Sequence, residues 1–123
     1  MTSASQKPKI IVICGATGIG KTSVGIELAE QLGGEIISAD SMQIYRYMDI
    51  GTAKPTPAEL TQIPHHMIDM VDPDEEYDAV QFSRQARDRI KQIARRGRIP
   101  FIVGGTGLYI KACLLYTSPS PRD

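Results

Sequence analysis

No run of apolar residues in this chain approaches the roughly 20 needed to cross a bilayer. The N-terminal stretch MTSASQKPK is polar, with no apolar signal core behind it. The cytoplasm is therefore the expected compartment. Cysteine is scarce. Cys14 and Cys113 supply neither a metal-ligand spacing nor a disulfide framework, and Cys14, inside an apolar run, is expected to be a small buried residue. Net charge is absent as well, with 14 basic and 14 acidic side chains, so the global balance points to no polyanionic partner. Charge is nevertheless segregated: an acidic stretch from Asp69 to Asp78 precedes a basic one from Arg84 to Arg98. A phosphate-backbone contact would explain the basic stretch, and a solvated helix face explains it more simply. No internal repeat is present.

What the chain does have is the balance of a single globular domain, 123 residues of which 41% are apolar. The β-branched run Lys9 to Cys14 predicts a strand buried on both faces. Thr22 to Leu32 places Val24, Leu28, Ala29 and Leu32 on one helical stripe, and Gly33-Gly34 stops it. Glu35 to Ala39 predicts a second buried strand, and the strand–helix–strand order requires a right-handed crossover within a parallel sheet. From Asp40 to Pro57 there is no clear period. An irregular segment is expected there, with a short helix around Met42 to Tyr45, followed by a brief helix over Pro57 to Gln62. His66 to Val71 is expected to be a third strand. Asp78, with Gln81 three residues on, has the form of a capping box opening a helix whose stripe is Phe82, Ala86, Ile90, Ile93 and Ala94. Ile99 to Val103 predicts another buried strand and Thr106 to Ala112 the start of a last helix, which CLLYTSPSPRD is expected to break. The fold class is therefore α/β, a parallel sheet flanked by helices, truncated, and the phosphate-loop motif GATGIGKT that follows its first strand makes it P-loop NTPase-like.

GATGIGKT, Gly15 to Thr22, matches G-x-x-x-x-G-K-[ST] with the strand before it and the helix after it that the motif needs. Backbone amides of Gly15, Ala16, Thr17, Gly18, Ile19 and Gly20 would turn around an anion at the positive end of a helix. Lys21 would reach the terminal phosphate oxygens, and the Thr22 hydroxyl would face a Mg²⁺ ion. A nucleoside triphosphatase carries a metal-holding acid at the end of a later buried strand. Here that strand ends FIVGG, without Asp or Glu. The acid lies instead in SADS, where Asp40 would emerge at the carboxyl end of the sheet, the edge at which ligands bind. Asp40 would accept a proton, hold a metal through water, or simply cap the segment after it.

GATGIGKT, ISADSMQIYRYMDIGTAKPT, PHHMID and GRIPFIVGGTGLYIKA, in this order and spacing, resemble the N-terminal part of the tRNA dimethylallyltransferase (tRNA isopentenyltransferase) family. The resemblance implies transfer of a dimethylallyl group from dimethylallyl diphosphate to the exocyclic N6 amine of the tRNA adenosine 3′ of the anticodon. Dimethylallyl diphosphate and the tRNA anticodon loop are then the partners, Mg²⁺ the cofactor, and no membrane is involved. The loop would grip a diphosphate that departs whole, so no acid for phosphorus chemistry is needed. Asp40, Lys21 and Thr106 are the implied catalytic residues, and Ser41, Met42 and Gln43 match an RNA-contacting stretch. Thr17 to Thr22 would face the substrate. The resemblance divides the chain into a flexible tail over 1–8, a partial P-loop transferase domain over 9–113, and a non-native or disordered tail over 114–123 whose composition resembles translated adapter sequence. On that reading the natural protein is longer, monomeric at full length, and this fragment is inactive alone.

Two other readings stay open. An adenylate isopentenyltransferase shares the loop and the chemistry but takes a free nucleotide, and PHHMID and GTAKP favour the tRNA enzyme over it. A P-loop small-molecule kinase would transfer phosphate from ATP. Of the remaining motifs, adjacent His65 and His66 point apart and lack a third metal ligand. Tyr45, Arg46 and Tyr47 interleave aromatic and basic groups as an RNA surface does, though Tyr45 would equally pack on the sheet. Lys54 is a phosphate contact or a solvated loop lysine.

Overall fold

The computed structural model describes residues 9–14, 21–47 and 54–117, apart from the side chains of Lys21, Thr22 and residues 115–117. Four strands, β1 (Ile11–Cys14), β2 (Gly34–Ser38), β3 (His65–His66) and β4 (Ile99–Gly104), form one parallel sheet in the order β1-β4-β2-β3. The helices are α1 (Lys21–Leu32), α2 (Pro57–Gln62), α3 (Ala79–Arg95) and α4 (Gly107–Thr117). Among the described residues no helix is long and apolar enough to cross a membrane.

The last strand in sequence is the central one. β4 pairs with β1 from Ile11↔Phe101 to Cys14↔Gly104 and with β2 from Gly34↔Ile99 to Ser38↔Val103. Side chains alternate between the two faces, which is how continuous apolar runs fill two cores at once. Ile36, Phe101 and Val103 meet Ile26 and Ala29 of α1 on one face. Ile37 and Ile102 meet Phe82, Ala86, Ile90 and Ile93 of α3 together with Tyr109, Ile110 and Cys113 of α4 on the other. Tyr109 stacks on Phe82 with centroids 4.6 Å apart and planes 21° apart.

Several expectations hold. Asp78 caps α3, its carboxylate accepting from the Gln81 amide at 2.8 Å while the Gln81 side chain accepts from the Asp78 amide at 3.0 Å. Gly33 leaves α1 with φ 73, a conformation that favours glycine. Others are corrected. β1 stands at the sheet edge with one strand neighbour, so Ile11, Val12 and Ile13 are half-buried and Cys14 is exposed. The stripe expected for α1 is rotated: Val24 and Leu32 are each 50% exposed, and the buried face is Gly25, Ile26 and Ala29. Gly25 sets this rotation, because a Cβ there would lie 3.1 Å from Val103. A stripe read from large side chains misses a contact made by the lack of one.

The expected short helix at Met42–Tyr45 is a run of turns. The third strand shrinks to His65–His66 plus an isolated bridge from Tyr45 to Val71. Met67 and Asp69 take φ 70 and 56, which breaks extended pairing and drives Met67 into the core at 1% exposure. Finally, α4 does not break after Ala112 but runs to Thr117, since Cys113 continues the Tyr109–Ile110 stripe and is fully buried.

At the amino end of β2, Glu35 is 3% exposed. His66 Nε2 lies 2.7 Å from its Oε1, Arg96 bonds both of its oxygens, and Arg98 Nε stands 3.2 Å from Oε2. Two members of the basic stretch, Arg96 and Arg98, are therefore paired with a buried carboxylate while remaining partly solvated. Burial pushes the Glu35 carboxyl up, and hydrogen bonds from Arg96 and His66 outweigh that and hold it below the ordinary 4.5. A carboxyl depressed in the folded state contributes stability that is complete above pH 4.5 and is lost as pH falls through the folded value. Glu35→Gln should destabilise the chain by about 1–3 kcal/mol near neutral pH, discounted because both arginines are partly solvated. The variant should also flatten the decline of Tm on acidification below about pH 4.5. Thermal melting at stepped pH measures both effects.

Candidate active site at the carboxyl edge of the sheet

β1, β4 and β2 all end on one edge, and the course of the chain beyond each strand is set by how closely those ends approach. Ala39 N–H donates to Val103 C=O at 2.9 Å, and Thr106 N–H donates to Ala39 C=O at 3.1 Å. The chain after β4 is thereby sewn to the chain after β2. A Cβ on Gly104 would lie 2.1 Å from the Ala39 oxygen and 2.5 Å from its carbonyl carbon. A side chain at Gly104 would therefore push the ends of β4 and β2 apart.

Asp40 is the second residue beyond β2 and is half-buried. Its Oδ1 accepts from the amides of Met42 at 2.8 Å and Gln43 at 3.1 Å, closing a tight turn over 40–43. Thr106 bridges the two segments: its Oγ1 accepts from the Ser41 amide at 2.9 Å and lies 3.4 Å from the Ser41 hydroxyl. The Thr106 carbonyl accepts from Tyr109 and Ile110 at the start of α4, so this residue both opens a helix and fixes the Asp40 turn. Asp40, Ser41 and Thr106 therefore stand together at one rim.

The members of the 41–43 stretch differ in direction. Met42 is 43% exposed, whereas Gln43 is 9% exposed with its Oε1 accepting from the Ser38 hydroxyl at 2.8 Å. Gly15, Ala16, Thr17, Gly18, Ile19 and Gly20 lie outside the described residues. Lys21 and Thr22 are placed by their backbone at the start of α1, which packs on β2 and β4. β1 nevertheless passes the chain to Gly15 from Cys14, opposite Gly104, at the edge that carries Asp40.

Away from this rim the other candidates have structural partners. Lys54 is tied to the Tyr45 carbonyl at 2.7 Å and to the Asp69 carboxylate, and Arg46 pairs with Asp72 at 2.7 Å. His65 Nδ1 lies 2.8 Å from the Ile63 carbonyl, and burial pushes its imidazole pKa down. Tyr45 packs against the core while Tyr47 is 80% exposed. Among the described residues no group of three or more His, Cys, Asp or Glu is arranged to hold a metal ion. Ser38 is the residue that sequence reading passed over. The signal was a lone hydroxyl inside the apolar strand EIIS, where a buried donor requires a partner.

A parallel sheet with helices on both faces and its polar residues gathered at the strands' carboxyl ends defines an α/β ligand-binding domain. Two family models match it: IPP transferase over residues 43–122 and isopentenyl transferase over residues 8–72. The chain belongs to the IPP transferase family. The tRNA dimethylallyltransferase of Desulfosudis oleivorans is 59% identical over 108 residues, 88% of this chain and 34% of that protein. The crystal structure of the tRNA isopentenylpyrophosphate transferase of Bacillus halodurans superposes with a TM-score of 0.85 at 50% identity, over 89% of this chain and 36% of that one. A eukaryotic dimethylallyltransferase, solved in crystallographic snapshots acting on tRNA, superposes with a TM-score of 0.80 at 41% identity, over 87% of this chain and 26% of that one. The fold is accordingly P-loop NTPase-like, and the chain spans about a third of the length of the curated relatives it matches.

The Gly104–Ala39 contact yields a direct test. Gly104→Ala should force β4 and β2 apart at the rim and cost about 1–3 kcal/mol of stability. Denaturant unfolding would show the loss, and faster hydrogen exchange at the Thr106 and Ala39 amides would locate it.

Proposed function

We propose that this chain is the diphosphate-binding and base-bearing portion of a tRNA dimethylallyltransferase. The prenyl group would pass from dimethylallyl diphosphate to the N6 amine of the adenosine 3′ of the anticodon. The observation that carries this reading is the pinning of Asp40 at the same sheet edge from which β1 passes the chain to GATGIGKT.

In the proposed reaction the bond between the allylic carbon and the diphosphate oxygen breaks, and its electron pair leaves with the diphosphate. The adenine nitrogen bonds to the same carbon, and its proton goes to Asp40. Two amides on Oδ1 fix the Asp40 carboxylate before substrate arrives, so orienting the base costs little at the moment of transfer. Lys21 and the loop amides would stabilise charge gathering on the departing diphosphate. The described rim offers hydroxyl oxygens at Ser41 and Thr106 beside Asp40, which suits a hard cation that keeps its waters. With the Thr22 hydroxyl it would hold Mg²⁺ jointly with the substrate's own oxygens, and that ion would supply further charge neutralisation on the diphosphate. Met42, exposed beside Asp40, and Thr106 are the proposed contacts to RNA, with the target base drawn out of its stack toward Asp40. The setting would be the cytoplasm, with the full-length protein acting as a monomer.

A phosphoryl-transfer reading is less well supported, because the strand ending FIVGG carries no Asp or Glu to serve as the second acid that such chemistry uses.

The test extends this chain with the remaining two-thirds of the Staphylococcus aureus relative, which is 55% identical over the matched region. Asp40→Asn keeps an oxygen to cap the Met42 and Gln43 amides and removes only the basicity. Prenyl transfer to tRNA should fall at least about a thousandfold while dimethylallyl diphosphate still binds. Retained transfer would overturn the base assignment, and labelled phosphate moving from ATP would overturn the reaction class.

A second test needs only the chain itself. Cys14 is exposed at the loop's entrance, whereas burial pushes the Cys113 thiol up to about 11. A thiol reagent near neutral pH should modify one cysteine quickly and the other only on unfolding. Inorganic diphosphate should slow the fast reaction if the cradle is intact.

A further inference from the structure

We propose that Ser38 is a positioning residue for the transfer reaction, acting through Gln43 to hold the turn that aims the Asp40 carboxylate. The inference rests on the reading of Asp40 as the base.

The turn over 40–43 is short, and short turns at a strand end open readily unless something beneath them resists. Here the resistance comes from a buried polar pair. Ser38, at 4% exposure, is the last residue of β2, and its hydroxyl donates to Gln43 Oε1 at 2.8 Å. Gln43, at 9%, has its side chain folded under the turn rather than out toward solvent. Its own amide is one of the two donors to Asp40 Oδ1, at 3.1 Å. Side chain and amide therefore belong to one closed circuit: Ser38 holds the Gln43 side chain, and the Gln43 backbone holds the Asp40 carboxylate.

The circuit is braced from outside. The Gln43 carbonyl accepts from Asp69 N–H at 3.0 Å, and the Ile44 carbonyl accepts from Met70 and Val71 at 2.7 and 3.1 Å. Thr106 holds Ser41 on the opposite side. With these neighbours fixed through their backbone, the bond from Ser38 ties the Gln43 side chain down onto the strand. Loss of the hydroxyl would remove a buried donor from the Gln43 amide oxygen, a change that favours release of Gln43 toward water. This assignment gives Gln43 a different task from contacting RNA, because its side chain is spent inward.

Two measurements test the assignment. In the 123-residue chain, Ser38→Ala should speed hydrogen exchange at the Met42 and Gln43 amides by about tenfold or more, leaving α3 and β4 amides unchanged. Ser38→Thr, which keeps the donor, should restore the slow rate. In the extended chain, Ser38→Ala and Gln43→Met should each lower kcat about tenfold with KM for tRNA and for dimethylallyl diphosphate unchanged. The double variant should be no worse than either single one, as for two members of one unit.

Exchange that stays slow, losses in kcat that multiply, or a raised KM for tRNA in Gln43→Met alone would overturn the proposal. The last result would make Gln43 an RNA contact. A parent chain that transfers no prenyl group would instead defeat the underlying reaction, while the exchange measurement would still decide whether the circuit exists.

Discussion

The contact between Gly104 and the backbone of Ala39 governs the binding rim. Because those two strand ends touch with no side chain between them, the residues just beyond them are close enough to bond: Val103 to Ala39, Ala39 to Thr106, Thr106 to Ser41. Asp40 then has one place to go. A side chain inserted at Gly104 would separate the ends, and each of those bonds would lengthen together. The placement of Asp40 beside Thr106 follows from that one close approach.

The molecule keeps two carboxylates at opposite ends of β2. Glu35 at the amino end is buried and surrounded by three basic groups, which ties β3 and the turn after α3 to the sheet. Asp40 at the carboxyl end is half-buried and accepts from the amides of Met42 and Gln43. A carboxylate ringed by arginines is a poor base, because its charged form is strongly favoured. Glu35 is thus an anchoring acid, tied to the two arginines beside it.

Much of this was legible in the residues. The capping box at Asp78 and Gln81, the Gly33 stop and the apolar strands Glu35–Ala39 and Ile99–Val103 come from local rules, and the structure keeps them within a residue or two. Asp40 was legible because a polar residue directly after a buried parallel strand must lie at the ligand edge. What the sequence concealed depends on partners distant along the chain. The exposure of Cys14 is a consequence of β1 being an edge strand, and no local pattern reveals strand order. The exposed Val24 and Leu32 result from Gly25 meeting Val103, a contact made by an atom that is missing. The third strand failed at Met67 and Asp69, whose left-handed backbone breaks extended pairing: Met67 is seated in the core, and Asp69 is an exposed residue of a type that tolerates this region. The inward turn of Gln43 pairs it with Ser38, five residues back and at the end of a mostly apolar strand.

The strand order also bears on how such a chain is made. Among the described residues β1 pairs with β4 alone, so Ile11 meets Phe101 only after the intervening strands and helices have been made. During translation β1 must therefore wait, apolar and unpaired within this sheet, and a topology dominated by such distant pairings closes slowly. A nascent chain halted before Gly104 would lack both a complete β4 and the rim that depends on it, leaving β1 as a segment for a chaperone to shield.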